Sequence, residues 1–482
     1  MRSVKFFLLG VLLFSAMARI AAADRVSDFV NAHLKKKQIP GCAVMVRHNG
    51  KVVLAAGYGF ANLEHGVRVT PQTVFQSGSV GKQFTAMAVM ILIEEKKLDL
   101  DDPISKYLDV PNAWSAITVR HLLTHTSGLG DYPEKFSLQR DYTEDDLLNM
   151  IKAQPLGFAP GEKWSYSNLG YVTLGILVHK ISGEFLGDFL QQRVFAILGM
   201  KHTSVISETD IIPNRAAGYV LKNGALKNQQ WVSPSVNNTA DGSLYFTVED
   251  IAKWDEALET RKLVSRASYE QMWTPVKLNN GTTAPYGFGW RISNTDSGHG
   301  MLEHGGAWQG FASYIVRYPD DRLTIAVLCN RAGASARYIA TRIAGFYIPP
   351  LAPRLHTAIK LDPAILSSYA GEYRLADRFT IKISVAGDRL ETTWLGEKIT
   401  LVPESEADFF QQDSDRTFRF VKDDGGKVTS LISSVPEELV LRRVLKQTAP
   451  SNFSHGKLYL RAMRNAVCRN RRSATALSYL RR

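Results

Sequence analysis

The spacing of apolar positions changes several times along this 482-residue chain. From Gly41, "GCAVMVRHNGKVVLAAGYGFAN" holds two β-branched runs around Asn49-Gly50, a pair that favours a tight type I′ turn, so a β-hairpin is predicted. From Ser79 to about Lys97 the period becomes helical. Val80, Phe84, Met87, Met90, Ile91 and Ile93 spread around the axis, so this helix should be apolar on most sides and buried. Further helices are predicted at "TEDDLLNMIKA" and "TVEDIAKWDEALE", which open with Thr and early acids, and at "SNLGYVTLGILVHKISG", closed by Gly183. Strands return at "YGFGWRI", "GMLEHGGAWQG", "FASYIVRYPDD" and "LTIAVLCN". A helix around "ASARYIATRIAGF" and a Pro-rich break, "YIPPLAPRL", follow.

Strands at both ends of this region enclose a helical middle. The expected fold class is therefore α+β: an antiparallel sheet flanked by helices, with an inserted all-helical lobe, over residues 24–350. Beyond Leu361 the pattern shortens to alternating strands such as "FTIKISVAGDRLETTWLG" and "RTFRFVKDDGGKVTSLISS", separated by Gly, Asp and Ser turns. Residues 361–445 read as a small all-β sandwich or barrel. It offers no nucleophile–base pair, so it is expected to cover a cleft or mediate contacts.

Residues 1–23 have the form of a signal peptide: Arg2 and Lys5, the apolar run Phe6 to Ala18, then Ala21-Ala22-Ala23. This predicts a periplasmic or secreted protein; a retained anchor is the alternative, although the run is short for a bilayer. The net charge of +12 sits mostly at the ends. Residues 1–23 carry +3 and residues 451–482 carry +8, which leaves +1 for the body. The charge thus gives no case for a nucleic-acid partner, and the basic tail, 446–482, reads as a poorly ordered solvated end. Cys42, Cys329 and Cys468 are too few and too scattered for a disulfide framework or a zinc site.

"GSVGK" raises the chemical question. A phosphate loop needs Gly at 76 and a hydroxyl at 83, and both positions hold Gln. Residues three apart on a helix share a face, so Ser79 and Lys82 would point into one space. A lysine buried near a helix N-terminus is discouraged from carrying charge and could take the Ser79 proton. His121 and His125 have the spacing of a zinc pair, but Leu122 stands where a metalloprotease glutamate would be, so both are read as structural. Ser77 replaces the first glycine of G-x-S-x-G around Ser79, which excludes the α/β-hydrolase elbow.

With these residues the chain resembles the serine β-lactamase and penicillin-binding-protein family, on its class C, esterase and D-aminopeptidase side. The likeness rests on "TVFQSGSVGKQFTAMAVMILIEEKKLDLDDPISKYL", "ITVRHLLTHTSGL", "FAPGEKWSYSNLGYVTLGILVHKISG" with Tyr166-Ser167-Asn168, and "YGFGW" before "EHGGAWQGF". It covers residues 25 to 345. The resemblance implies that Ser79 is acylated, Lys82 is its base and Tyr166 shuttles the proton to the leaving group. It implies that Asn168 holds Lys82 and the substrate carbonyl, and that Ser79 and Ala307 N–H groups form an oxyanion hole. His304-Gly305-Gly306 stand where lactamases have Lys-Thr-Gly, and His304 would contact Tyr166 or the far end of the substrate. Without the other motifs, Tyr166 and Asn168 could simply cap a helix. In this family's sheet the first and last strands are neighbours, so Cys42 and Cys329 could meet; two buried free thiols are the expectation.

The function implied is a secreted serine hydrolase forming an acyl-enzyme on an ester, amide or D-amino-acid peptide bond, without metal or organic cofactor. Its partner would be a small-molecule or short peptide substrate, such as one derived from the cell wall, and the mature chain would have no stable membrane span. The alternatives are a beta-lactamase, or a non-catalytic cell-wall-peptide-binding protein on the same scaffold.

Overall fold

The computed structural model describes residues 22–133, 135–375, 379–394, 397–434 and 439–444. The expected tail and almost all of the expected signal peptide lie outside the described residues. Helix α1 covers 22–37. The predicted hairpin forms as β1 (Gly41–His48) and β2 (Lys51–Asn62), and β3 (Val67–Arg68) extends it. Four later strands complete one antiparallel sheet: β4 (Arg291–Asn294), β5 (Gly300–Trp308), β6 (Phe311–Tyr318) and β7 (Leu323–Cys329). Their order is β4-β5-β6-β7-β1-β2-β3, so the chain's two ends meet at β7 and β1.

Both faces of this sheet are covered, so β1, β6 and β7 are apolar almost throughout rather than alternating with polar residues. Cys42, Val44, Val46, Val316, Ile325 and Val327 pack with α1 and α5 (Ala336–Tyr347) on one side. Ala43, Met45, Ile315, Ala326 and Leu328 face the large second core, shared with the helical middle. There α2 (Lys82–Glu94) is buried at 11 of 13 positions and packs on α3 (Asn168–Ser182). Helix α3 starts at a Ser167 cap and stops at Gly183, whose φ of +77° suits glycine. Thr247 caps α4 (Val248–Thr260), which ties to the sheet through a buried ionic set: Asp255 accepts from Arg47, Arg317 and Thr324.

Two expectations change, and a third is decided between its alternatives. The middle is not all-helical, since it also holds small two- and three-stranded sheets. The predicted strand "YGFGWRI" is instead a tight turn, with Gly287 N–H bonded to the Trp290 carbonyl at 2.8 Å and β4 beginning only at Arg291. Gly289, at φ +74°, packs against the first turn of α2; a Cβ there would lie 2.9 Å from backbone atoms of Lys82 and Gln83. Third, the C-terminal strands form a closed eight-stranded barrel from β8 (Gly371–Leu375) to β15 (Leu439–Arg443). Its interior is filled by side chains such as Tyr373, Leu401, Phe409, Phe420 and Leu431. The barrel touches the α1 and α5 side: Lys36 pairs with Asp413 at 2.7 Å, and Arg337 with Asp415 at 2.9 Å.

Cys42 and Cys329 are register partners on β1 and β7, both fully buried and both free. Burial pushes the Cys42 thiol well above the ordinary range, which suppresses the reactive thiolate. Alkylation of the denatured, unreduced protein should therefore modify both residues. Recovery of a peptide pair linked through Cys42 and Cys329 would show that the thiols oxidise to a bridge.

Candidate active site

Ser79 lies in a 3-10 turn, Gly78–Gly81, that runs straight into α2 at Lys82. In such a turn residues three apart eclipse, so the side chain of Lys82 stands over Ser79. The Lys82 ammonium is fully buried. It donates to Ser79 Oγ at 3.0 Å, Asn168 Oδ1 at 2.7 Å and the Asp241 carbonyl at 2.7 Å. These acceptors come from three distant segments, and an ammonium has three protons to offer. The rings of Tyr166 and Tyr171 add cation–π contacts, 4.9 and 5.5 Å from Nζ.

The acceptors are themselves held. Asn168 opens α3 and donates through Nδ2 to Asp131 Oδ1 at 3.0 Å. Tyr132 O–H donates to Asp241 Oδ1 at 3.2 Å. Burial raises the Asp241 carboxyl to about 6, against the pull of Lys82 and with a further push from Asp131.

Backbone packing brings β5 to this turn. Gly78 has φ +49°, and a Cβ on it would lie 2.5 Å from Ala307 N. A Cβ on Gly306 would lie 2.0 Å from the Ser77 carbonyl oxygen, which accepts from Ser313 Oγ. The two glycines therefore let main chain touch main chain, with the Ala307 amide beside the turn that carries Ser79. Gly305 has ordinary space, and its carbonyl accepts from His304 Nδ1 at 2.7 Å.

His304 lies beside Tyr166, one of its two expected neighbours. With Nδ1–H donating to Gly305, its Nε2 accepts from Tyr286 O–H at 2.8 Å. Burial first, then the Lys82 charge, push its pKa down to about 3, so the ring is neutral. Its centroid is 6.2 Å from that of Tyr166. Both nitrogens are committed inside the protein, and of the two expected neighbours the ring contacts Tyr166.

The zinc-pair spacing also resolves. His121 Nδ1 accepts from the Thr118 N–H at 3.1 Å in a capping box, whereas His125 accepts from the Ser167 N–H. Among the described residues no group of three or more His, Cys, Asp or Glu could hold a metal ion.

Beside Ser79 opens a cleft of about 570 Å³. Ser79, Asn168, Gly242, Ala307 and Trp308 line it, with Tyr132 and Phe136 stacked at 4.0 Å along one wall. Among the described residues, Asp241 is the one charged group in its lining, and no lining residue comes from the barrel. Sequence reading missed Asp131, Tyr132, Asp241, Gly242 and Tyr286. Each lies far along the chain from Ser79 in a segment without a spacing signal.

The chain is similar to known proteins. Residues 26–347 match the family described as Beta-lactamase, and residues 355–443 match a domain of unknown function (DUF3471). A penicillin-binding protein of Bacillus subtilis is 30% identical over 402 residues, 78% of this chain and 88% of that protein. A D-aminopeptidase of Brucella ovis is 30% identical over 337 residues, 67% of this chain and 63% of that protein. Among solved structures, the octameric penicillin-binding protein homologue from Pyrococcus abyssi superposes with a TM-score of 0.64 at 25% identity, covering 87% of this chain and 99% of that one. Sheet, helical middle and the serine–lysine turn all fall within the matched span, and the chain belongs to the beta-lactamase family as a serine hydrolase.

Proposed function

We propose that the protein is an exported hydrolase that forms an acyl-enzyme on Ser79 and cleaves ester, amide or D-amino-acid peptide bonds. The observation that carries this reading is the hydrogen-bonded set around Lys82. A neutral amine keeps two N–H groups. With Asn168 Oδ1 and the Asp241 carbonyl accepting both, the lone pair faces Ser79 Oγ, where a base is needed. Ser79 Oγ attacks the acyl carbon and its proton passes to Lys82 Nζ. The oxyanion is stabilised by the N–H groups of Ser79 and Ala307. Collapse expels the leaving group, which takes a proton through Tyr166; water then repeats the sequence and releases the acid.

The substrate class follows from charge. A substrate carboxylate gains most from a charge-assisted donor. His304 is neutral with both nitrogens engaged, and among the described residues the one charged group lining the cleft is the acid Asp241. Neutral or amine-bearing acyl donors are therefore favoured over carboxylate-bearing ones. The leader-like pattern of residues 1–23 supports export. Among the described residues, no helix is long and apolar enough to cross a membrane.

Intact-mass analysis after fluorophosphonate treatment should show one adduct, absent from Ser79→Ala. Ser79→Ala and Lys82→Ala should each reduce kcat/KM by on the order of 10³-fold or more, because groups acting as a unit are not additive. Gly306→Ala, which pushes the Ala307 amide away from the turn, should cost about 10²-fold. More than trace turnover by Ser79→Ala would remove the nucleophile assignment.

Short-chain p-nitrophenyl esters should be hydrolysed, and cephalosporins weakly or not at all. Efficient cephalosporin turnover without esterase activity would sink the substrate reading. Binding of a D-Ala-D-Ala peptide with no covalent adduct from any acyl donor would favour a non-catalytic binding protein instead.

A further inference from the structure

His125 carries two unfavourable features that packing alone does not require. Its φ of +59° is the left-handed conformation, uncommon for a side chain of this size. It is also 1% exposed, with Nε2 lacking any hydrogen-bond partner among the described residues. An orphaned buried donor and a strained backbone in one residue point from the outlier to a function.

The contacts show what that residue holds. The His125 carbonyl accepts from the Ser165 N–H at 2.9 Å, and its Nδ1 accepts from the Ser167 N–H at 3.1 Å. These are the two amides that flank Tyr166. The imidazole also packs on the Tyr166 ring, with centroids 4.2 Å apart and planes inclined by 37°. The rings of Tyr286 and Tyr171, at 4.6 and 5.1 Å, back it on other sides. Burial, followed by the Lys82 charge, holds the imidazole well below its usual pKa, so Nδ1 stays free to accept. The turn is fixed from Ser167 as well, whose Oγ donates to the Gly130 carbonyl at 2.6 Å.

We infer that His125 is a positioning residue for Tyr166: it clamps the main chain on both sides of the tyrosine and stacks on its ring, setting the phenol for proton delivery to the leaving group. This rests on the role given to Tyr166 above. The left-handed backbone is what lets one residue present both its carbonyl and its ring nitrogen to the same short segment. The inference carries a signature that general destabilisation lacks. An amide leaving group needs a proton as its bond breaks, whereas p-nitrophenolate leaves without one.

The test compares the anilide and the p-nitrophenyl ester of one acyl group in wild type, Tyr166→Phe, His125→Gly and His125→Asn. Glycine and asparagine both tolerate the positive φ, but only asparagine can accept the Ser167 N–H. Fluorophosphonate labelling of Ser79 checks that each variant is folded. His125→Gly should lower kcat on the anilide by about 10²-fold, with KM within about threefold and ester hydrolysis within about fivefold. His125→Asn should recover about tenfold of the lost anilide rate. Equal losses on both substrates, or asparagine no better than glycine, would overturn the inference. Should Tyr166→Phe leave anilide turnover intact, the role of Tyr166 itself fails; should that variant lose it while both His125 variants keep it, only the inference fails. If His125→Gly does not fold, nitrogen NMR of the wild-type ring decides: an Nε2–H tautomer supports the clamp, and an Nδ1–H tautomer overturns it.

Discussion

A lysine ammonium taken wholly out of water costs several kcal/mol unless each of its protons finds an acceptor. In this protein Lys82 meets that condition through Ser79, Asn168 and the Asp241 carbonyl, and much of the architecture supplies these three atoms at the right distance. The 3-10 turn stacks Ser79 under Lys82. The Ser167 cap starts α3 so that Asn168 is its first residue, and the Asp241 segment closes over the turn at Gly242, where a Cβ would lie 2.4 Å from the Gly78 carbonyl oxygen. Removing any one acceptor would leave a buried charge short of a partner. The same condition therefore holds the fold at this point and arranges the groups for proton transfer.

The sheet provides the rigid side of that arrangement. β5 reaches the turn only because Gly78 and Gly306 carry no side chain, and β6 secures the contact through Ser313 Oγ on the Ser77 carbonyl. On the same face of the sheet a second buried ionic set, Asp255 with Arg47, Arg317 and Thr324, joins α4 to β1, β6 and β7. Here too a buried charge is stable only because several segments converge on it. The barrel meets the opposite face, through Asp413 and Asp415 on α1 and α5. Arg337 links this contact to Glu303, the residue before His304, at 3.4 Å.

His304 and His125 illustrate how burial changes the meaning of a residue type. Each imidazole is neutral because solvent is excluded and Lys82 is near. His304 holds Tyr286, and His125 holds the segment around Tyr166. Neither contributes the titrating charge that histidine offers in water.

Local pattern determined the elements with strong periods: the β1–β2 hairpin around Asn49-Gly50, the buried helix after Ser79, the Thr caps, and the short strands beyond Leu361. The pairing of Ser79 with Lys82 was legible for the same reason, since three residues of chain set their separation. "YGFGWRI" misled because its apolar residues fit a strand equally well, and only contact with the start of α2 makes Gly289 turn. Whether the last strands close into a barrel was undecided until β8 met β15. Tyr166 and Asn168 were found through their flanking motif, but Asp131, Tyr132, Asp241 and Tyr286 carry no local mark. They matter through acceptors and donors brought together from positions some 50 to more than 200 residues away from Lys82. Local sequence sets φ, ψ and side-chain period over a few residues, whereas a buried proton's partner is chosen by whatever distant segment packs against it, and that was decided only by the tertiary structure.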